Sequence, residues 1–278
     1  MSVDVAVRSQ VLIEALPYIR RLHGQTVVIK VGGRAMQERR EETLLDVVLL
    51  RYVGMNPVLV HGGGDEISAM SARLGLAPEF VDGLRVTDQA TMEVVKMVLT
   101  GKVNPDLVAD LNRLGAHAVG MSGEDGPTII AEGQDPSLGF VGRVTQVATE
   151  PIEALLGRGY VPVLASIGLG YDGHSYNINA DTAAAEVAVA LRAAKLMLLT
   201  DVPGVLSPDG QVLSELRSAE AEAMIARGEV SGGMIPKLRA CVRALDAVPL
   251  AHVIDGRLPH AVLLELLTEA GVGTMVKP

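Results

Sequence analysis

The sequence predicts an α/β fold: a three-layer αβα sandwich around a central, mostly parallel sheet, with an added helix at the N-terminus. Three observations carry that expectation. Short apolar strand patterns alternate with helical patterns along the 278 residues, the order that builds a parallel sheet covered on both faces. Two strands, Val27–Val31 and Val58–His61, run directly into Gly32-Gly33 and Gly62-Gly63-Gly64, and a helical pattern follows each. Apolar residues make up 49% of the chain, enough for a substantial core.

Residues 3–22 are amphipathic at helical spacing, with Val5, Leu12, Leu16 and Ile19 on one side and Val11, Ala15 and Leu22 beside them. Arg20, Arg21 and His23 close this helix where cations suit its dipole, and Gly24 stops it. It either packs on its own domain or is presented to another subunit. A strand over 26–31 then precedes a helix near 38–53, and a strand over 57–60 precedes a helix near 65–74. Residues 80–87 read as extended and 88–114 as helical, with a break from Lys102 to Pro105. Ala116 to Met121 is a further strand, and the Gly- and Thr-rich alternation over 127–149 predicts a β-hairpin insertion. A strand at 161–165, a helix at 181–193 and a strand at 196–199 follow. Helices near 215–227 and 234–246, a strand at 250–254, a helix at 259–267 and a strand at 273–276 complete the chain. The best internal division falls at 193–196, which gives a helix over 1–24 and two lobes, 25–194 and 195–278, sharing one sheet. No internal repeat is found.

The formal charge is −9, spread along the chain. This argues against nucleic acid or a membrane surface as partner, since either would call for a basic face. Two Phe, five Tyr and no Trp leave little aromatic surface for stacking bases. The single cysteine, Cys241, excludes an internal disulfide and lies in an apolar helical pattern, as a core residue would. The first residues carry Asp4 and Arg8 and no apolar run, so they do not read as a signal peptide. No apolar run approaches the roughly 20 residues that span a bilayer. The expectation is a cytoplasmic protein.

An acidic protein that binds anions must concentrate positive charge locally, and Lys30, Arg85 and Lys237 are the candidates. Each strand–glycine–helix unit brings backbone N–H groups and a helix N-terminus to one place, a ready anion site. Gly32-Gly33 is neither a dinucleotide fingerprint nor a P-loop, and alone it would be only a tight turn. Lys30 gives it weight, because an unpaired lysine at the end of a buried strand is costly. Gly62-Gly63-Gly64 allows a ligand close to the backbone; His61 before it either is catalytic or, as is expected more, orients the loop by hydrogen bonds, and Asp65 starts the next helix. Arg85, between apolar neighbours, offers a fork for a carboxylate. Asn177 and Asn179 alternate and so face one side of an extended segment, while Asp181 falls at the cap or first turn of an Ala-rich helix. Leu199–Val205 is again strand then turn. Lys237 sits in the first turn of a helix behind Gly232-Gly233, a place that disfavours a cation unless an anion is shared there.

Taken together, Lys30-x-Gly-Gly, His-Gly-Gly-Gly, Gly-Leu-Arg-Val-Thr-Asp, Asn-Ile-Asn-Ala-Asp and Gly-Gly-Met-x-Pro-Lys resemble the amino acid kinase family, its acetylglutamate-phosphorylating branch in particular. The resemblance runs from about residue 25 to the C-terminus. It implies transfer of a phosphoryl group from ATP, with Mg2+, to the side-chain carboxylate of N-acetyl-L-glutamate, on the route to arginine. Lys30 and Lys237 would stabilise the transferring group and Asp181 would orient them. Gly63, Gly64, Arg85 and Asn177 would hold the substrate in the first lobe. Gly32, Gly33, Thr200, Asp201 and Met234 would hold the nucleotide, mostly in the second. No carboxylate cluster stands out as a metal cage. The N-terminal helix resembles that of arginine-inhibited hexamers, and His252, Glu265 and Gly271 resemble their arginine-sensing region; a homo-oligomer and feedback inhibition by arginine are therefore implied. Arg34 and Glu124 depart from the usual asparagine and lysine at their places. A sister kinase for a carrier-linked aminoadipate, or a sensor without catalysis, are the rival readings; the intact glycine loop and the retained Lys30, Asp181 and Lys237 weigh against them.

Overall fold

The computed structural model describes residues 5–81, 83–268 and 271–278, without the side chains of residues 5–9, 11, 12 and 34–37. The elements are α1 (Val5–Leu22), β1 (Thr26–Val31), α2 (Gly33–Tyr52), β2 (Asn56–His61), α3 (Gly64–Arg73), β3 (Phe80–Val81), β4 (Leu84–Arg85), α4 (Gln89–Val98) and α5 (Asn104–Arg113). Then come β5 (Ala118–Ser122), β6 (Ile129–Gly133), β7 (Gly142–Val147), α6 (Glu150–Gly157), β8 (Val161–Ala165), β9 (Ile167–Leu169), β10 (Ser175–Asn177) and α7 (Ala180–Ala190). The chain ends with β11 (Lys195–Thr200), β12 (Glu215–Arg217), α8 (Ser218–Ala226), α9 (Met234–Ala244), β13 (Ala251–Asp255), α10 (Ala261–Leu267) and β14 (Gly273–Lys277).

Eight strands form the central sheet in the order β12-β14-β13-β11-β1-β2-β8-β5. Every pairing is parallel except β13 with β14. Strand β1 lies between β2 and β11, so the crossovers leave it in opposite directions. The carboxyl ends of these three strands thus flank the crevice where open α/β sheets bind ligands. Period-two alternation sorts β1 between the two helical layers. Val27, Ile29 and Val31 enter a core with Leu44, Val47, Leu111, Val262 and Leu266 of α2, α5 and α10. Val28 enters the other core, with Ala184, Ala188, Leu238 and Cys241 of α7 and α9. Lys30 shares the face of Val28, one step nearer the carboxyl end, and so emerges beside the N-terminal turns of α7 and α9. Cys241 is fully buried, and burial pushes its thiol pKa up, as fits a core residue.

The hairpin β6–β7 joins β9 and β10 in a separate four-stranded sheet, order β10-β9-β6-β7. The β9–β10 hairpin escapes sequence patterning, because strands of three residues are too short to display a period. Residues 80–87 are two short antiparallel strands rather than one extended run. The break expected at 102–105 is a π-helical turn, Leu99–Val103, and the backbone stays helical into α5; Pro105, the second residue of α5, has no N–H to continue the helical ladder across that turn. Helix α2 starts at residue 33, earlier than expected, with a kink at Arg39. No helix among the described residues is long and apolar enough to cross a membrane.

Candidate active site

Lys30, Asp181 and Lys237 meet between the sheet and two helices. Lys30 Nζ lies 3.0 Å from Asp181 Oδ1, and Lys237 Nζ lies 2.8 Å from Asp181 Oδ2. The side chains are 12% (Lys30), 15% (Lys237) and 5% (Asp181) exposed, so the carboxylate is withdrawn while both ammonium groups remain reachable. Burial raises the pKa of Asp181, but the two lysines outweigh it and hold the carboxyl below its ordinary value. Within this triad one negative charge faces two positive ones. Asn179 caps α7, its Oδ1 accepting from Asp181 N at 2.9 Å and Thr182 N at 3.1 Å. Asn177 and Asn179 both line the cleft, as their alternation suggested; Asn177 ends a strand, and Asn179 adds the helix cap to that position.

A groove runs to either side of this centre. On one side a cleft of about 280 Å³ is lined by Gly62, Gly63, Gly64, Phe80, Arg85, Ser166 and Asn177, and by Lys30 and Gly32 at its inner end. Arg85 Nη2 donates to Gly64 O at 3.0 Å and Ser68 Oγ at 2.7 Å, and its guanidinium lies 4.7 Å from the centre of the Phe80 ring. Its Nη1 is buried with no hydrogen-bond partner among the described residues, an unspent donor on a residue that lines the same cleft as the glycine loop. Asn177 Nδ2 donates to Thr87 Oγ1 at 3.2 Å. On the other side a cleft of about 420 Å³ is lined by Thr200, Asp201, Val205, Val230, Met234 and Lys237. A middle segment lined by Lys30, Gly32, Gly33, Asp65, Thr200, Asp201 and Lys237 joins the two. The first residues of α2, α3, α7 and α9 (Gly33, Gly64, Ala180 and Met234) all line the groove, so four helix N-termini converge on it. Gly32 and Gly33 have φ +152° and +65°, a backbone that side-chain-bearing residues disfavour.

Two clefts are thus joined across a segment that carries two lysines, and known proteins of similar sequence share this arrangement's family. Residues 25–255 match the amino acid kinase family. The chain belongs to that family. It is 49% identical to an acetylglutamate kinase of Syntrophomonas wolfei over 284 residues, covering 99% of each chain. An acetylglutamate kinase of Kosmotoga olearia is 51% identical over 273 residues, 96% of each chain. Among solved structures, N-acetylglutamate synthase from Neisseria gonorrhoeae, complexed with coenzyme A and N-acetyl-glutamate, superposes with a TM-score of 0.85 at 26% identity. That match covers 97% of this chain but 63% of the synthase chain.

In this amino acid kinase family member the residues singled out from sequence fall into two places. Lys30, Gly32, Gly33, Gly63, Gly64, Arg85, Asn177, Thr200, Asp201, Met234 and Lys237 line the groove, and Asp181 ties its lysines together. His252, Glu265 and Gly271 lie apart from it. His252 Nδ1 is 2.6 Å from Glu265 Oε1, and Glu265 Oε2 accepts from Val272 N at 2.7 Å. Gly271 packs on the same carboxylate. Burial lowers the pKa of His252, while the bond to Glu265 opposes it. Burial raises the pKa of Glu265, but His252, the Val272 N–H and Lys195 bring it below its ordinary value. Glu124 pairs with Lys96 at 3.0 Å and accepts from Ser175 at 2.6 Å; it does not line the groove. The Arg34 side chain lies outside the described residues. Sequence reading missed Ser166, Thr87 and Asn104 as supports of the site. Asn104 carries one faint signal, its place before a proline inside a helical pattern.

His61 is fully buried, and its pKa is lowered to about 4, chiefly by burial. It is therefore a neutral ring near pH 7 and serves as a loop support, as the sequence suggested.

Proposed function

We propose that this chain phosphorylates the side-chain carboxylate of N-acetyl-L-glutamate with ATP, forming the acyl phosphate N-acetyl-L-glutamyl 5-phosphate for arginine biosynthesis in the cytoplasm. One observation carries the reading: lysines from opposite halves of the chain share a single buried carboxylate midway along a groove that connects an arginine-bearing cleft to a larger one. In this reading residues 25–194 bind the acceptor and 195–278 bind ATP. A carboxylate nucleophile is already ionised at neutral pH, so no general base is needed. The chemistry reduces to alignment and to neutralising charges that repel. Lys30 and Lys237 neutralise the transferring phosphoryl group, and Asp181 holds both ammonium groups in place without cancelling their charge. Gly63 and Gly64 offer backbone N–H groups to the acceptor. Arg85, through its free Nη1, and Asn177 hold the carboxylate that does not react. Gly32 and Gly33 cradle phosphates at the α2 N-terminus, while Thr200, Asp201 and Met234 border the nucleotide.

No group of three or more His, Cys, Asp or Glu side chains able to hold a metal occurs among the described residues. In this reading magnesium would arrive on the ATP phosphates with its own water shell and would supply charge neutralisation. The test is a hydroxylamine trap for acyl phosphate, run over acidic amino acids and their N-acylated forms. Hydroxamate from N-acetyl-L-glutamate above the others is the expected result; preference for an aminoadipate derivative would replace the substrate named here.

Two regulatory features belong to the same proposal. Helix α1 lies against α10 yet leaves Ile13 and Leu16 exposed, as suits a helix that meets another subunit of a homo-oligomer, a hexamer by the resemblance. The His252–Glu265–Gly271 cluster stands on β13, α10 and the turn after it, next to that helix, and is the proposed arginine site. Arginine titrated into the trap assay should lower turnover; unchanged activity removes this part.

A further inference from the structure

Asn104 sits behind the glycine loop. It is the first residue of α5 and is buried at 6% exposure. Its Nδ2 lies 2.8 Å from Val163 O and 3.4 Å from Met121 O. Both are carbonyl oxygens and only accept, which fixes the orientation of the amide. The same Nδ2 lies 2.9 Å from His61 Nε2. Nε2 must therefore accept, and the ring proton resides on Nδ1. Nδ1–H in turn donates to Gly62 O at 3.0 Å. The Gly62–Gly63 peptide is planar and trans, so its N–H points opposite to its C=O. Anchoring Gly62 O on the ring turns the Gly63 N–H away from His61, on a residue that lines the acceptor cleft.

The surroundings are cut to fit this relay. A Cβ on Gly120 of β5 would lie 1.9 Å from Asn104 Oδ1, so that strand leaves space for the amide. The π-helical turn ahead of Asn104 sets Leu99 and Val103 against the loop: a Cβ on Gly63 would lie 2.8 Å from Leu99 Cδ2 and 3.2 Å from Val103 Cγ2. Single π turns are often found at functional sites, and here the turn delivers both the clamp and the amide.

We propose that Asn104 is a positioning residue for the phosphoryl acceptor: by selecting the Nδ1–H tautomer of His61 it aims the Gly63 N–H at the anionic substrate. The inference deepens the acetylglutamate reading and rests on it. Asn104→Asp reverses polarity at one atom, because a carboxylate accepts where the amide donated. A neutral His61 must then carry its proton on Nε2 and loses the Nδ1–H that holds Gly62 O, whereas a ring charged by the carboxylate keeps it; the nitrogen-15 shifts of the variant tell the two apart, and the neutral Nε2–H ring is the expected one.

The test has two arms. In wild-type enzyme, nitrogen-15 shifts of the His61 ring, identified by their loss in His61→Gln, should show Nδ1 protonated and Nε2 bare at pH 7. In Asn104→Asp the KM for N-acetyl-L-glutamate should rise roughly tenfold, the loss of one hydrogen bond to a charged group, while the KM for ATP stays within about twofold. A wild-type ring protonated on Nε2 overturns the proposal whether or not the variant folds. So does a variant with lower melting temperature but unchanged acetylglutamate KM, since that is a purely structural effect. Absence of hydroxamate from wild-type enzyme with every acceptor overturns the activity on which the proposal rests, and the ring measurement keeps that failure separate.

Discussion

Asp181 holds two lysines with one carboxylate, and in the proposed reading the charge left over faces the transferring phosphoryl group. Lys237→Ala removes one of the two ammonium groups and should lower kcat by roughly 10²–10³, the usual loss for one transition-state donor, with the circular-dichroism melt little changed. Near-normal turnover would take Lys237 out of the chemistry. In the same reading Arg85 has a different task, ground-state recognition. Arg85→Ala should weaken acceptor binding by roughly 1.5–3 kcal/mol, as for a charge-assisted hydrogen bond, seen as a raised acetylglutamate KM with the ATP KM unmoved. His61 makes a prediction about stability. Its pKa drops from an ordinary 6.5 to about 4 in the folded chain, so between those values the unfolded chain binds a proton that the native one refuses. Stability from this group is complete above about pH 6.5 and is lost as pH falls toward 4. At about 1.4 kcal/mol per unit the loss approaches roughly 3 kcal/mol. Denaturant titrations at pH 7 and near pH 4.5 should show it, and His61→Gln should flatten the difference.

At the scale of elements, the site is made by where helices begin. Helix α7 is buried along Ala183, Ala184, Ala185 and Ala188, and those small side chains let it lie close to β1 and α9. Its first turn then carries Asp181 to within reach of lysines on both. The Asn179 cap secures that turn. Asn179→Ala should cost about 1 kcal/mol of stability. It should also reduce kcat, because the Asp181 N–H loses its partner and the carboxylate its fixed place. A variant that loses the stability and keeps full turnover would show that the turn holds Asp181 without the cap. The π turn between α4 and α5 acts similarly on the glycine loop. A regular α-helix through Leu99–Val103 would rotate the following residues by a large part of a turn and carry Asn104 off His61.

At the scale of the whole molecule, the groove follows from strand order. With β1 central and crossovers departing to either side, the loops after β1 and β2 open toward one cleft and those after β11 toward the other. Lys30 stands at the divide. The exposed Ile13 and Leu16 of α1 lie outside this framework. A chain shortened to begin at Gly24 should therefore keep its acyl-phosphate activity while falling to a smaller assembly in light scattering. Retention of the full assembly would assign α1 to its own subunit alone.

Much of this was legible before any coordinates. The alternation of apolar strands and helices determined the sheet, because burying both faces of parallel strands requires long apolar runs. Lys30, Arg85 and Lys237 are legible because a cation at the end of a buried strand, between apolar neighbours or in the first turn of a helix is costly without an anion, and Gly32 and Gly63 because consecutive glycines let a ligand approach the backbone; Asp181 reads locally as a cap, and its tie to the lysines came from the resemblance alone. The three-residue strands β9 and β10, the cap at Asn179, the π turn and the amide of Asn104 behind His61 were not legible. The strands and the π turn are too short to display a period, and the amide of Asn104 depends on segments distant in the chain, such as Val163, of which local pattern carries no record. The sequence by itself determined the class of fold and the kind of chemistry; only the tertiary structure decided that the two lysines share one carboxylate, because that depends on packing two helices against one strand.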